Sequence, residues 1–78
     1  METSALIEGL IILEKYRHEP NGCNTAADHD IIYVYATDKP VKTEDINRLI
    51  ELGWEQEFSG SEFTAKDYNP EESWQCYP

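Results

Sequence analysis

Basic residues are scarce. Six Lys and Arg stand against 16 Asp and Glu among 78 residues, a formal net charge of −10. Such a surface repels phosphate backbones and anionic headgroups, which attract proteins through Lys and Arg. Direct binding to DNA, RNA or membrane is therefore disfavoured, and a basic protein is the natural partner. Cysteine is equally sparse. Cys23 and Cys76 allow at most one internal bridge, too few for a disulfide-built secreted scaffold. No apolar run approaches the ~20 residues that span a bilayer. The longest, Leu6 to Leu13, is interrupted by Glu8 and Gly9. The first residues lack the basic segment and cleavage-like site of a secretory signal. The expected compartment is the cytosol. Glycine is thin too: Gly9, Gly22, Gly53 and Gly60 are scattered. They form neither a phosphate-cradling loop nor a nucleophile elbow.

What is present is enough for one small domain over residues 1–78. Hydrophobic residues make up 40%, and the nine aromatics are two Trp, five Tyr and two Phe. That argues against disorder despite the charge. A core of this size should yield a net stability on the order of 3–5 kcal/mol.

Periodicity predicts the elements. Thr3 or Ser4 is placed to cap a first helix. Leu6, Ile7, Leu10, Ile11, Leu13 and Tyr16 follow near the spacing of one helical face. Glu14 with His18 and Lys15 with Glu19 are i,i+4 pairs on its wet side. Pro20-Asn21-Gly22 stops the helix near Glu19. Gly9 within it points to a close helix–sheet contact. Residues 20–30 read as a loop. Ile31 to Ala36 is β-branched and aromatic, the clearest strand. Thr43 caps a second helix, with Glu44 and Asp45 at the positive end of its dipole. Ile46, Leu49, Ile50 and Leu52 form its apolar stripe, and Gly53 ends it. Trp54 to Phe58 alternates as a half-buried strand, and Ser59-Gly60-Ser61 turns the chain. Phe63-Thr64-Ala65 fits a short strand. Asn69-Pro70-Glu71-Glu72 is a turn before a last strand, Ser73 to Tyr77. The expected fold is α+β: two helices on one face of a small, mainly antiparallel sheet of three to four strands.

One sheet face is then left over. Alternation assigns Ile32, Val34, Ala36, Trp54, Phe58, Trp74 and Cys76 to the core. Tyr33, Tyr35, Glu55, Glu57, Gln75 and Tyr77 point the other way. Same-face neighbours on a strand lie ~6.6 Å apart, so Glu55 and Glu57 are spaced on the scale of neighbouring phosphates on a nucleic-acid strand. The face reads either as an ordinary wet surface or as a binding face, since Tyr enriches interface cores and acids attract basic partners. The second half sharpens this choice. Residues 51–78 hold seven acids and one base, Lys66, against nine acids and five bases in residues 1–50. The candidate partner-binding set is Glu55, Glu57, Glu62, Asp67, Glu71 and Glu72, with Tyr33, Tyr35 and Tyr77 as anchors.

Other chemistry is thinly represented. Cys23, His29 and Asp28 or Asp30 supply the residue types of a nucleophilic site, but nothing around them advertises a substrate pocket. The expectation is a protein that is not an enzyme and carries no cofactor. Cys23, His29 and Asp30, with His18 and Cys76 elsewhere, are zinc-type ligands without paired spacing. A small metal-binding module on the Cys23–His29 loop is thus an alternative. Another is a plain accessory domain that homodimerises through the Tyr-rich face.

At Ala27-Asp28-His29-Asp30-Ile31-Ile32-Tyr33, Leu52-Gly53-Trp54 and Asn69-Pro70-Glu71-Glu72-Ser73-Trp74, the chain resembles small uncharacterised proteins carried by bacteriophages and prophages. A leading amphipathic helix, an acid-His-acid step into a strand, a Leu-Gly-Trp helix exit and a closing Pro-Glu-Glu-Ser-Trp recur in that group. The resemblance implies a context rather than an activity. Short acidic phage proteins often block host machinery, among them anti-CRISPR and other anti-defence inhibitors and nucleic-acid mimics. It therefore implies an inhibitor of a nucleic-acid-binding host protein in the host cytosol.

Overall fold

Two helices and four strands arise in the order α1 (Thr3–Glu14), β1 (Thr25–Asp28), β2 (Ile31–Val34), α2 (Thr43–Leu52), β3 (Glu55–Gln56), a 3-10 turn (Ala65–Asp67) and β4 (Trp74–Cys76). This computed structural model describes residues 2–16, 25–37, 39–57 and 62–77. The strands form one sheet of order β1-β2-β4-β3, and all three pairings are antiparallel. The class is α+β, as the periodicity predicts.

α1 differs from expectation in its cap, its length and its face. Glu2 is the N-cap, with no side-chain bond into the first turn, so Thr3 and Ser4 already lie inside the helix. The helix ends at Glu14 rather than near Glu19. Lys15 N–H and Tyr16 N–H reach back to Ile12 O and Leu13 O, the tightened bonds that close a helix. His18 and Glu19 lie outside the described residues. The buried face is Gly9, Ile12, Leu13 and Tyr16, with the spacing i, i+3, i+4, i+7. A glycine heads that stripe, so counting apolar side chains selects its neighbour instead. Ile7 and Ile11, expected in the core, are 50% and 63% exposed.

Gly9 is where helix and core come closest. A Cβ added there would stand 2.0 Å from Trp54 Nε1, inside any permissible contact. A close contact is therefore present, but its partner is the indole just before β3 rather than a residue of the sheet. That indole is 1% exposed, and its N–H has no hydrogen-bond acceptor among the described residues.

α2 follows its sequence closely. The cap is Lys42 rather than Thr43, but Glu44 and Asp45 occupy the first turn and Ile46 and Leu49 are buried. Gly53 ends the helix in the left-handed region at φ 100°. Its N–H bonds Ile50 O at 3.0 Å, and Trp54 N–H bonds Leu49 O at 2.9 Å. This reversal delivers Trp54 directly into the core.

The sheet holds four corrections. Residues 25–28, expected in a loop, are β1, paired with β2 from Thr25↔Val34 to Asp28↔Ile31. Thr-Ala-Ala-Asp has little β-branching, and this outer strand is held by its neighbour's backbone rather than by apolar side chains. His29 turns the hairpin at φ 55°, a region His tolerates better than most residues. β2 ends at Val34, and Ala36 is exposed rather than in the core. β3 is only two residues long, and Phe58 lies outside the described residues. Phe63-Thr64-Ala65 is not a strand. It leads into the 3-10 turn, where the Asp67 carboxylate accepts from Thr64 N–H and Thr64 Oγ1, both at 3.0 Å.

The core lies between the helices and one sheet face. Val34, Trp74 and Cys76 from the strands join Leu13, Ile46, Leu49, Trp54 and Phe63. Trp74 organises it: Phe63 meets its ring edge-on at 5.6 Å, and Tyr68 stacks at 6.0 Å. Tyr68 Oη also accepts Val41 N–H at 2.9 Å. Gln56 is the buried polar member, 1% exposed. Its Nε2 donates to Asn69 O at 2.8 Å and Glu72 O at 3.1 Å, and its Oε1 accepts Asn69 N–H at 2.9 Å.

Polar pairs tie the two helices at two places, mid-helix and past the end of α1. Arg48 grips Glu8 through Nε at 2.5 Å and Nη2 at 2.9 Å, and also meets Glu51 at 3.2 Å. Asp45 accepts from the Tyr16 hydroxyl and from Lys15 Nζ, the latter at 3.0 Å. The Tyr16 hydroxyl, and then Lys15, hold the Asp45 carboxyl below its ordinary range. A carboxylate of lowered pKa contributes stability above its unfolded pKa and loses it as pH falls through the folded value. Tyr16→Phe should therefore be less stable than the parent at neutral pH. The difference should shrink as pH falls below ~4, the unfolded carboxylate value. Urea midpoints of the two proteins across that range check this, and a constant difference would contradict it.

Candidate protein-binding face

Because strand side chains alternate, the residues between core positions emerge on the far face. Register lines them up across the sheet. Ala26 pairs with Tyr33, Tyr33 with Gln75, and Gln75 with Glu55. One row therefore crosses all four strands. Ile31 and Tyr77 flank it on one side and Glu57 on the other. Together Ile31, Tyr33, Gln75, Tyr77, Glu55 and Glu57 line an open, mostly polar depression of about 380 Å³. The helices pack on the opposite face, where the core cluster lies.

The structure thus brings together Tyr33, Tyr77, Glu55 and Glu57 from the expected set. Tyr33 and Glu55 are half-buried, while Glu57 and Tyr77 are exposed. Tyr35 is 50% exposed and lies just past the end of β2, outside the depression. Glu62, Asp67, Glu71 and Glu72 are exposed, but they belong to the β3–β4 connection and do not line it. Asp67 is engaged by Thr64. Asn69 Oδ1 accepts Glu71 N–H at 2.9 Å, and Asn69 O accepts Glu72 N–H at 3.1 Å. The six acids fall into a pair on the sheet and a set of four on the connection, so the continuous acidic run suggested by the sequence is divided. Gln75 is the row's centre. Its place between Trp74 and Cys76 assigns it to this face, but its neutral side chain kept it out of the candidate set. Ile31 was missed, although it lies two residues before Tyr33 and shares its face.

The face keeps its charge. Arg48 and Lys15 are occupied by Glu8, Glu51 and Asp45 in the helix layer. Among the described residues, no ion pair to Lys or Arg involves Glu55, Glu57, Glu62, Glu71 or Glu72.

The metal reading finds little geometry. His29 is at the hairpin tip, its side chain 91% exposed and 3.6 Å from Asp28. Cys76 is a buried free thiol whose pKa is pushed up by burial. No group of three His, Cys, Asp or Glu among the described residues is arranged to hold a metal ion. Cys23 lies outside the described residues.

No family model, curated protein or solved structure matches the chain. No helix among the described residues is long and apolar enough to cross a membrane.

Proposed function

We propose that this chain is a small acidic protein-binding module. It docks its open sheet face on a basic, nucleic-acid-binding protein and occupies the surface that protein offers to phosphates. The observation that carries this reading is the outward-facing row Tyr33–Gln75–Glu55, flanked by Tyr77 and Glu57, whose carboxylates make no ion pair with Lys or Arg among the described residues. Tyr supplies rigid amphipathic contact area. Unpaired carboxylates steer a basic partner and fix its register. The resemblance to phage-carried proteins makes a host defence complex the expected class of target and the host cytosol the place of action. Pairing this face with itself is the weaker reading, because it would crowd unpaired carboxylates from both copies into one interface.

Affinity capture from host lysate supplies the partner. Binding should weaken steeply as salt rises, and DNA should compete for the site. Reversing both charges with Glu55→Lys and Glu57→Lys should weaken binding at least about tenfold, or ~1.4 kcal/mol. Glu2→Lys serves as the control. A partner with no nucleic-acid site, or full affinity in the double reversal, would reject the proposal.

A further inference from the structure

Two aromatic side chains stand beside the acids of the open sheet face. Gln75 is the centre of the depression: it pairs with Tyr33 of β2 on one side and Glu55 of β3 on the other. Tyr77 follows two residues later and lines the same depression. Tyr33 and Tyr77 are therefore diagonal neighbours across a ladder, ~7–8 Å apart by ordinary sheet spacing. A group in contact with a ring lies ~3.5–4 Å from it, so one flat group fits between them. Neither ring stacks on another among the described residues. The Glu55 carboxylate stands across Gln75 from Tyr33 and makes no ion pair with Lys or Arg among the described residues.

From this lining we infer that the depression receives an arginine side chain of the basic partner, with the guanidinium against Tyr33 and Tyr77 and its N–H groups on the Glu55 carboxylate. The inference rests on the docking reading above and names the group that is recognised. The lining selects guanidinium over ammonium. A planar, delocalised cation stacks on aromatic rings and offers a carboxylate two parallel N–H groups, whereas an ammonium is compact and more strongly hydrated. The Gln75 amide oxygen is a further acceptor at the centre of the row.

Other occupants fit less well. No Lys or Arg lines the depression among the described residues, so an anion finds no counter-charge. Glu55, Glu57 and Gln75 disfavour a wholly apolar side chain, which would bury them without partners. Arginine is also the residue with which nucleic-acid-binding surfaces hold phosphates and read guanine. Flat rings beside a carboxylate offer such a residue stand-ins for base and phosphate together.

The purified chain and two capped peptides, acetyl-Gly-Arg-Gly-amide and acetyl-Gly-Lys-Gly-amide, test this without the partner. In titrations followed by NMR at physiological ionic strength, the arginine peptide should bind about two- to fivefold tighter than the lysine peptide. Its side-chain protons should move upfield, as protons over an aromatic ring do. Tyr77→Leu, at a position 52% exposed, should shrink that preference with an unchanged circular-dichroism spectrum. Glu55→Gln should weaken the arginine peptide about two- to fivefold. Glu71→Gln removes the same charge outside the depression and should leave affinity as it was. Equal binding of the two peptides would overturn the inference, as would a preference untouched by Tyr77→Leu or equal losses in Glu55→Gln and Glu71→Gln. The two readings fail separately. If lysine binds as well as arginine while the Glu55→Lys, Glu57→Lys chain still releases the captured partner, the face docks by charge alone. If arginine is preferred but that partner keeps full affinity in the double reversal, the arginine site stands and the docking reading falls.

Discussion

Gly9→Ala should destabilise the protein by about 2–3 kcal/mol, although the same change in an exposed helix gains about 1 kcal/mol. The added methyl would meet three atoms of the Trp54 five-membered ring, Nε1, Cε2 and Cδ1, at 2.0, 2.5 and 2.7 Å. Neither side can yield easily. The indole is fully buried, and the glycine sits on the helix backbone itself. A fall in urea midpoint at unchanged slope is the measurement. Trp54→Phe removes the ring that clashes, so Gly9→Ala should cost markedly less in that background, with a coupling of ~1 kcal/mol or more. If Gly9→Ala stabilises the protein, the helix does not lie against Trp54 as described.

Gln56→Leu should be more damaging still, at about 3–5 kcal/mol, which rivals the whole stability expected of a domain this small. The amide joins three backbone groups of the 69–72 turn. Leucine would leave Asn69 O, Glu72 O and Asn69 N–H without the amide that satisfies them, beside a side-chain position only 1% exposed. Gln56→Glu offers a signed test. A carboxylate there can accept Asn69 N–H, but its second oxygen faces two carbonyl oxygens, while the protonated acid can donate to one of them. The folded state therefore favours the proton and raises the pKa of that group. Stability is then fully present below ~4.3, the unfolded Glu value, and is lost as pH rises toward the folded one. Over the same interval the parent should not lose stability, because Asp45 and Glu8 are held below their ordinary range. A Gln56→Glu protein whose urea midpoint ignores pH would contradict this account.

These two positions show where sequence was informative and where it was not. α2 was legible because its acids, apolar stripe and terminal glycine agree with one another. The identity of the open face was legible from alternation alone, since Trp74-Gln75-Cys76 leaves little choice of side. The face of α1 was not, because its closest approach is made by a residue with no side chain. β1 escaped notice because Thr25-Ala26-Ala27-Asp28 owes its conformation to β2. Alternation between Trp54 and Phe58 puts Gln56 on the core side, but its polar side chain gave no sign of what would satisfy it there. Its partners lie on a turn 13 to 16 residues away, and no local pattern encodes those bonds. The acids of the connection were grouped with Glu55 and Glu57 by sequence proximity, which the 3-10 turn and the Asn69 turn undo.

The position of β4 has a consequence for how the molecule comes together. It is an inner strand, bonded to β2 on one side and β3 on the other. The β1–β2 hairpin can zip locally, but β3 reaches it only across β4, and Val34↔Trp74 closes a span of forty residues. Gln75, the middle of the docking row, arrives in that same step. No half-assembled species can carry the complete row, so acquiring the fold and becoming competent to bind are one transition. A ligand of this face should accordingly raise the melting temperature of the entire domain rather than protect one corner of it.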